Sequence, residues 1–402
     1  MARPGTDLTA PLNDPTFYAG DPHPLYERLR REAPVAWHEG LGFWAVTRHA
    51  DVLAVSRDPA TFCSSKGVLL MDLGRELPDI PGALLYVDPP QHQRYRRLVL
   101  PAFTPSRVRD LEGPIRARTT ALLDALPTGE PVDVVAGLAL PLPLLVIADL
   151  LGVPGDEWPA YARWSEAAID AGTAQTEETD RILSEMATFL LEVIAAKRAD
   201  PGDDLVSLLV TLEVTDPETG EVERLDDGEL MMFCVQLLVA GNETTRNLVS
   251  GGLWALAEHP DQLARLVADP TLVPAAVDEL LRWTTPVTSF VRTATVDTQV
   301  GGQAVAADEA LLLLYASANR DEDAFGPTAG RLDVGREPNH QVAFGFGEHF
   351  CLGAGLARLE GRIVLEEVLA RWSRLEPAGP IRRLPSAGVV NGVLEAPIRL
   401  DA

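Results

Sequence analysis

Cys351 stands in a loop whose composition brings backbone close to a flat partner: Phe344-Gly345-Phe346-Gly347-Glu348-His349-Phe350-Cys351-Leu352-Gly353. A cysteine thiolate is one of the few axial ligands that proteins offer to haem iron, and it pushes electron density toward O–O cleavage. Gly345, Gly347 and Gly353 carry no Cβ, so they admit close approach and φ values that other residues avoid. A strongly periodic segment, 352–372, follows at once. As a helix, its N-terminal dipole favours a thiolate at Cys351. The loop therefore reads as a haem-ligand loop. For a cysteine on its own, the alternative is a buried structural thiol beside a turn.

Three further groups of residues have chemistry-bearing spacing. Ala240-Gly241-Asn242-Glu243-Thr244-Thr245 lies midway along a long helical stretch, 227–258. Small residues there let a flat cofactor approach, and a Thr hydroxyl in mid-helix can divert the i−4 carbonyl and bend the helix. His92 and Arg96 are four apart on one predicted helical face. They can serve the carboxylates of a buried cofactor, which are costly to leave unpaired. Asp88, before Pro89 and Pro90, is a candidate cap for that helix. Glu279 and Arg282 stand at i, i+3, a spacing that on a surface is worth little.

The elements that must hold these groups follow from pattern. A helix is predicted over 24–32, a strand entering a hairpin over 37–47 and a short helix over 49–57. Residues 64–85 are irregular, and a long loop of that kind is usually functional. Residues 114–199 carry helical periodicity. Asp226 or Asp227 can cap the 227–258 helix, with Glu229 in its first turn. A helix over 274–283 leads into an extended 284–292. Short strands over 300–315 turn at Gly301-Gly302. The C-terminal thirty residues read as strands and turns, with 389–393 as a loop reaching a pocket.

Composition narrows the classes. The chain has 402 residues and is 46% hydrophobic, enough for a large core. Its three cysteines, Cys63, Cys234 and Cys351, are too few and too scattered for a disulfide framework and suit a reducing cytoplasm. No apolar leader follows Met1, and the most apolar run, 138–153, is short and broken by Pro141, Pro143 and Asp149. A cytoplasmic protein without a membrane span is expected. The net charge of −25 disfavours nucleic acid as a partner. A local group, Arg94, Arg96, Arg97, Arg107 and Arg109, could steer an acidic partner, or could be ordinary solvated helix faces.

The Cys351 loop resembles the haem-binding loop of the cytochrome P450 family, Phe-Gly-x-Gly-x-His-x-Cys-x-Gly, at Phe344, Gly345, Gly347, His349, Cys351 and Gly353. The resemblance extends over nearly the whole chain, with four motifs in family order. It implies a mainly α fold with small β-sheets: a helix-rich triangular prism with haem between the long central helix and the Cys-ligand loop. Residues 1–402 would form one domain. Its β-rich lobe would come mostly from 35–60 and 285–320 plus the C-terminal strands, and its helical lobe from 88–283 and 352–372.

The cofactor implied is haem b (iron protoporphyrin IX), with Cys351 on the iron and Phe344 packed on the sulfur side. His92, Arg96, Arg292 and His349 would meet the propionates. Ala240 and Gly241 would open the helix, Thr244 would hydrogen-bond dioxygen, and Glu243 would help relay protons. Glu279 and Arg282 would form a buried structural pair completed by Arg331, with Arg336 as the alternative. Leu69, Leu70, Leu84, Leu238, Val239, Val287, Ser289 and Phe290 would line the substrate pocket under the 64–85 loop.

The implied activity is insertion of one oxygen atom from O2 into a C–H bond of a lipophilic small molecule, by hydroxylation or epoxidation. No flavin or iron–sulfur motif is visible, so electrons would come from a separate ferredoxin or similar carrier. It would dock on the Cys351 side near Arg96, Arg97 and Arg109, where Glu348 would oppose an acidic donor. The wording of 241–247 is similar to actinobacterial members that oxidise steroids and branched terpenoid or fatty chains. Macrolide, polyketide or other natural-product tailoring is the alternative substrate class. A peroxide-driven peroxygenase is disfavoured by Glu243-Thr244. A non-catalytic haem gas-binding protein is disfavoured by the same pair and by the lack of a signalling domain. A monomer is expected.

Overall fold

The computed structural model describes residues 4–401 except 128, 172–175, 218, 386 and 387. Its labelled elements, in chain order, are β1 (Val35–His38), β2 (Phe43–Val46), α1 (His49–Ser56), β3 (Phe62–Cys63), α2 (Gln91–Val99), α3 (Glu112–Asp124), α4 (Pro141–Leu151), α5 (Asp227–Glu258), α6 (Val273–Thr284), β4 (Ser289–Ala294), β5 (Ala310–Leu314) and α7 (Ala354–Leu369).

The long helix α5 has 32 residues, about 48 Å at the α-helical rise. Its start is fixed by a reciprocal cap. Asp226 accepts from the Glu229 amide at 2.8 Å, and Glu229 accepts from the Asp226 amide at 3.0 Å. Two orphan donors are satisfied there before the apolar run begins. Pro260 starts the next helix and ends this one. Around α5 pack α4, α6 and α7. Every residue of α4 except Asp149 is buried, as a helix apolar on all sides requires. Asp149 instead pairs with Arg118 on α3 at 3.0 Å.

The main sheet is ordered β1-β2-β5-β4-β3. β5 runs parallel to β2 and antiparallel to β4. β4 is thus an interior strand, flanked by β5 and β3, and all its residues but Phe290 are buried. Arg292 lies in register with Leu311 of β5, and the next residue, Thr293, is paired on the other side with Cys63 of β3. A three-stranded sheet joins Arg374–Pro377, Pro397–Asp401 and Val132–Asp133.

The expected hairpin over 37–47 is β1 and β2, paired antiparallel from Val35–Val46 to His38–Phe43. The helical run over 114–199 contains four α-helices among the described residues, α3, α4, Trp158–Ala171 and Glu177–Ala199, and is interrupted by a short strand, Val132–Asp133, and a π-helical turn, Val135–Ala139. α7 begins at Ala354, just past Gly353. Asp88 does not cap α2. Its carboxylate accepts instead from the amides of Ser64 at 2.7 Å and Ser65 at 3.1 Å, tying the start of the 64–85 loop to the approach of α2.

Candidate active site

The Cys351 loop rests on the C-terminus of α1. At Gly347, φ is 74° and a Cβ would stand 2.1 Å from the Ser56 carbonyl oxygen, so only glycine fits. The Arg57 guanidinium lies 4.6 Å over the Phe346 ring. The Cys351 amide donates to the Phe344 carbonyl at 2.9 Å and closes the loop. Burial pushes the Cys351 thiol up. The Gly353 N–H and the charges of Arg96 and Arg358 pull the other way. Arg358, on α7, also lies 4.6 Å over the Phe344 ring.

On α5, Ala240 is exposed and Gly241 and Thr244 are half-exposed, although Asn242, Glu243 and Thr245 onward are buried. Access at Ala240, Gly241 and Thr244 thus adjoins a C-terminal half that is buried from Thr245 to Ala257. The Thr244 hydroxyl donates to the Ala240 carbonyl at 2.7 Å, the i−4 diversion expected of a mid-helix Thr. A Cβ on Gly241 would stand 3.1 Å from Ile147 of α4, so this glycine serves close helix packing. Glu243 is buried and accepts from Arg246 at 2.8 Å. Burial raises its pKa; Arg246 opposes that shift.

A third group converges from α2, β4 and the Cys351 loop. His92 is 1% exposed, and neither ring nitrogen has a hydrogen bond. The His349 ring lies 4.2 Å from it, centroid to centroid, and its Nε2 is 3.2 Å from the Ser64 hydroxyl. Burial, together with the charges of Arg292, His92 and Arg96, pushes His349 down to about 2. Arg292 is buried, and its one hydrogen bond among the described residues goes to the neighbouring Val291 carbonyl at 2.8 Å. Arg96 is half-buried with no hydrogen bond or ion pair among the described residues, and burial lowers its pKa. Buried donors are ordinarily satisfied. Two guanidiniums and an imidazole left open toward one another fit a ligand that brings carboxylates, as haem does with two.

A model of the cytochrome P450 family matches residues 171–393. The linalool 8-monooxygenase of Pseudomonas putida is 38% identical over 403 residues, covering 95% of this chain and 96% of its own. The chain belongs to the cytochrome P450 family. The erythromycin C-12 hydroxylase of Saccharopolyspora erythraea is 40% identical over 356 residues, with 86% of each covered. The structure of CYP109E1 from Bacillus megaterium, in complex with corticosterone, superposes with a TM-score of 0.83 at 33% identity, covering 95% of this chain and 99% of that one. The fold is the P450 fold, mainly α with small sheets, and the chain is a P450 monooxygenase, an oxidoreductase that incorporates oxygen. The family uses haem b ligated by a cysteine thiolate. Among the described residues no helix is long and apolar enough to cross a membrane.

Within this P450 several sequence expectations are corrected. The third member of the Glu279–Arg282 pair is Arg336, not Arg331. Arg336 Nε lies 3.0 Å from Glu279 Oε2, whereas Arg331 contributes its carbonyl to both arginines. Leu238 is 1% exposed in the helical core, two positions and so about 200° round α5 from Ala240. Leu70 is packed in the cluster that holds Leu12, Tyr26 and Val291 rather than open to a pocket. The Ser289 hydroxyl is occupied by the Gly388 carbonyl. Leu69, Leu84, Val239, Val287 and Phe290 keep partial exposure.

Arg94 and Arg97 are not free for a partner. They pair with Glu229 at 2.7 Å and with Asp216 at 2.5 Å. Arg107 and Arg109 are exposed, and Val108 between them lies against Gly355 at the start of α7. Sequence reasoning missed Gln236, one turn before Ala240. Its Nε2 donates to the Gly82 carbonyl at 2.7 Å, latching the end of the 64–85 loop to α5. The one available signal was a glutamine on the helical face of Ala240 and Thr244.

Proposed function

We propose that this P450 hydroxylates, or epoxidises, a lipophilic small molecule of the terpenoid or steroid class, with Cys351 as the thiolate and His92, Arg96, Arg292 and His349 around the haem carboxylates. The observation that carries this reading is the meeting of those four side chains beside the loop that bears Cys351, with donors of His92, Arg96 and Arg292 open. Haem held there supplies dioxygen activation and oxygen transfer. The protein's own residues supply position and protons. Thr244 has its hydroxyl on the accessible stretch of α5, where it can turn from the Ala240 carbonyl to donate to a ligand. Glu243, its pKa raised by burial, holds a proton at its carboxyl more readily than an exposed glutamate, and Arg246 limits that tendency. Val239, Val287, Phe290, Leu69 and Leu84 offer an apolar wall that excludes water.

The terpenoid and steroid choice is supported by the P. putida relative and by the corticosterone complex; the erythromycin hydroxylase keeps macrolides as the alternative. Electrons come from a separate ferredoxin-like donor docking by Arg107 and Arg109, in a cytoplasmic monomer. The test is a difference-absorption screen of terpenoids, steroids and macrolides against the ferric protein. A Soret shift that saturates with terpenoids or steroids, followed by oxygenated product with ferredoxin and reductase present, is expected. Saturation by macrolides alone overturns the substrate class.

A further inference from the structure

Two acids face the imidazole of His92. Asp88 is committed, both oxygens accepting backbone amides from the 64–85 loop. Glu348 is not. Its Oε1 accepts from Gln93 at 3.2 Å, whereas its Oε2 is buried without a hydrogen bond and lies 3.7 Å from His92 Nδ1. An acid aimed at a docking surface would keep its carboxylate in water; this one is turned inward. A buried carboxylate oxygen and a buried imidazole, each without a hydrogen bond and within ion-pair distance, are costly unless they share a proton's charge.

We infer that Glu348 is a positioning residue for the cofactor: it holds His92 as the imidazolium, Nδ1–H toward Glu348 and Nε2–H toward a haem carboxylate. The inference rests on the reading of the cluster as the haem-carboxylate site. Charge balance supports it. Arg96, on the same helix, and Arg292, from β4, offset the two carboxylates of haem. Glu348 and Asp88 add negative charge beside the ring that neither arginine offsets, and a protonated His92 reduces it. The acid lies against His92 rather than His349: Glu348 Oε2 is 3.7 Å from His92 Nδ1, whereas His349 Nε2 meets the Ser64 hydroxyl at 3.2 Å. Among the protein's own groups, burial, Arg96 and Arg292 outweigh Glu348 and Asp88 and lower the His92 pKa, so the imidazolium rests on the 3.7 Å approach of the buried Glu348 oxygen. Haem carboxylates add to the side of the two acids.

The test is spectroelectrochemistry of the holoenzyme across about pH 5 to 9, a range that spans histidine titration. One electron added at the iron is partly matched by a proton taken up at His92, so the potential falls with rising pH only where His92 titrates. Glu348→Gln is expected to move that step to lower pH by about 1 to 3 units, the usual effect of losing an opposite charge at this range. Glu348→Asp returns part of the shift, and His92→Gln removes the step. A Glu348→Gln variant whose potential is offset equally at every pH, with the step unmoved, overturns the assignment of Glu348. A His92→Gln variant that keeps both the step and wild-type haem affinity overturns the underlying reading of the cluster instead.

Discussion

Two of this molecule's arginine clusters differ in one respect. In the first, Arg282 is fully buried and all five of its N–H donors are used. Two go to the Glu279 carboxylate at 2.7 and 2.8 Å, and three to the carbonyls of Asn319, Ala329 and Arg331 at 2.7 to 2.9 Å. Arg336 Nε, Asn339 Nδ2 and the Asp333 amide complete Glu279. In the second, around His92, Arg96 and Arg292, donors are left open. A closed network belongs to the fold and ties α6 to the chain before the Cys351 loop. An open one belongs to a ligand, because arginine cannot shed its charge when buried. The same residue types carry opposite meanings, decided by whether the protein itself supplies the carboxylates.

The sharpest way to break the comparison is Glu279→Ala. It leaves Arg282 and Arg336 buried without a counter-charge and should cost about 5 kcal/mol, the upper end for a broken buried pair. Denaturant unfolding should show it in haem-free and haem-loaded protein alike. A loss confined to the loaded form would make this cluster part of the ligand site.

Next comes a buried acid that escapes the dilemma by protonation. Glu360 on α7 is 3% exposed, its Oε2 has no partner, and burial pushes its pKa up to about 8 from 4.5. A folded-state pKa above the unfolded one means stability is full below about pH 4.5 and is lost as pH rises through about 8. Glu360→Gln should therefore stabilise the protein above pH 8 by on the order of 5 kcal/mol and hardly at all near pH 4.5. Equal melting shifts at both pH values would show that Glu360 does not titrate in this window.

Arg292→Ala should behave in the reverse sense to Glu279→Ala. Haem affinity should fall about 10- to 100-fold, the worth of a hydrogen bond to a charged group. The haem-free protein should unfold within about 1 kcal/mol of wild type, because the only hydrogen bond lost among the described residues is the one to the neighbouring Val291 carbonyl. Haem-transfer kinetics and urea melts check the two halves. The smallest effect on folding belongs to Thr244→Val, within about 1 kcal/mol. Its consequence is functional: product formed per electron consumed should drop, and unchanged coupling would remove Thr244 from proton delivery.

Local patterns made much of this legible. The bounds of α5 followed from Asp226, Glu229 and Pro260, because caps and breakers act within a turn. The Cys351 loop followed from glycines whose positive φ the structure shows at Gly345 and Gly347. The convergence of His92, Arg96, Arg292 and His349 came from family spacing. What stayed hidden is set by tertiary geometry. Arg331 and Arg336 differ only in which one the loop turns toward Glu279. Leu238 and Val239 differ by 100° of helix phase. The partners of Arg94 and Arg97 sit over a hundred residues away. Glu348 read as a surface charge because nothing in the sequence says that it turns toward His92.

The central claim is that the open cluster and the Cys351 loop hold one haem through a thiolate. The direct measurement is the absorption of the reduced protein under carbon monoxide, for wild type and Cys351→His. Wild type should give the red-shifted Soret band of a thiolate-bound ferrous carbonyl. Cys351→His should keep haem, held by Arg96, Arg292 and His92, and give the unshifted band of a nitrogen-ligated one. A red-shifted band that survives Cys351→His would contradict the account.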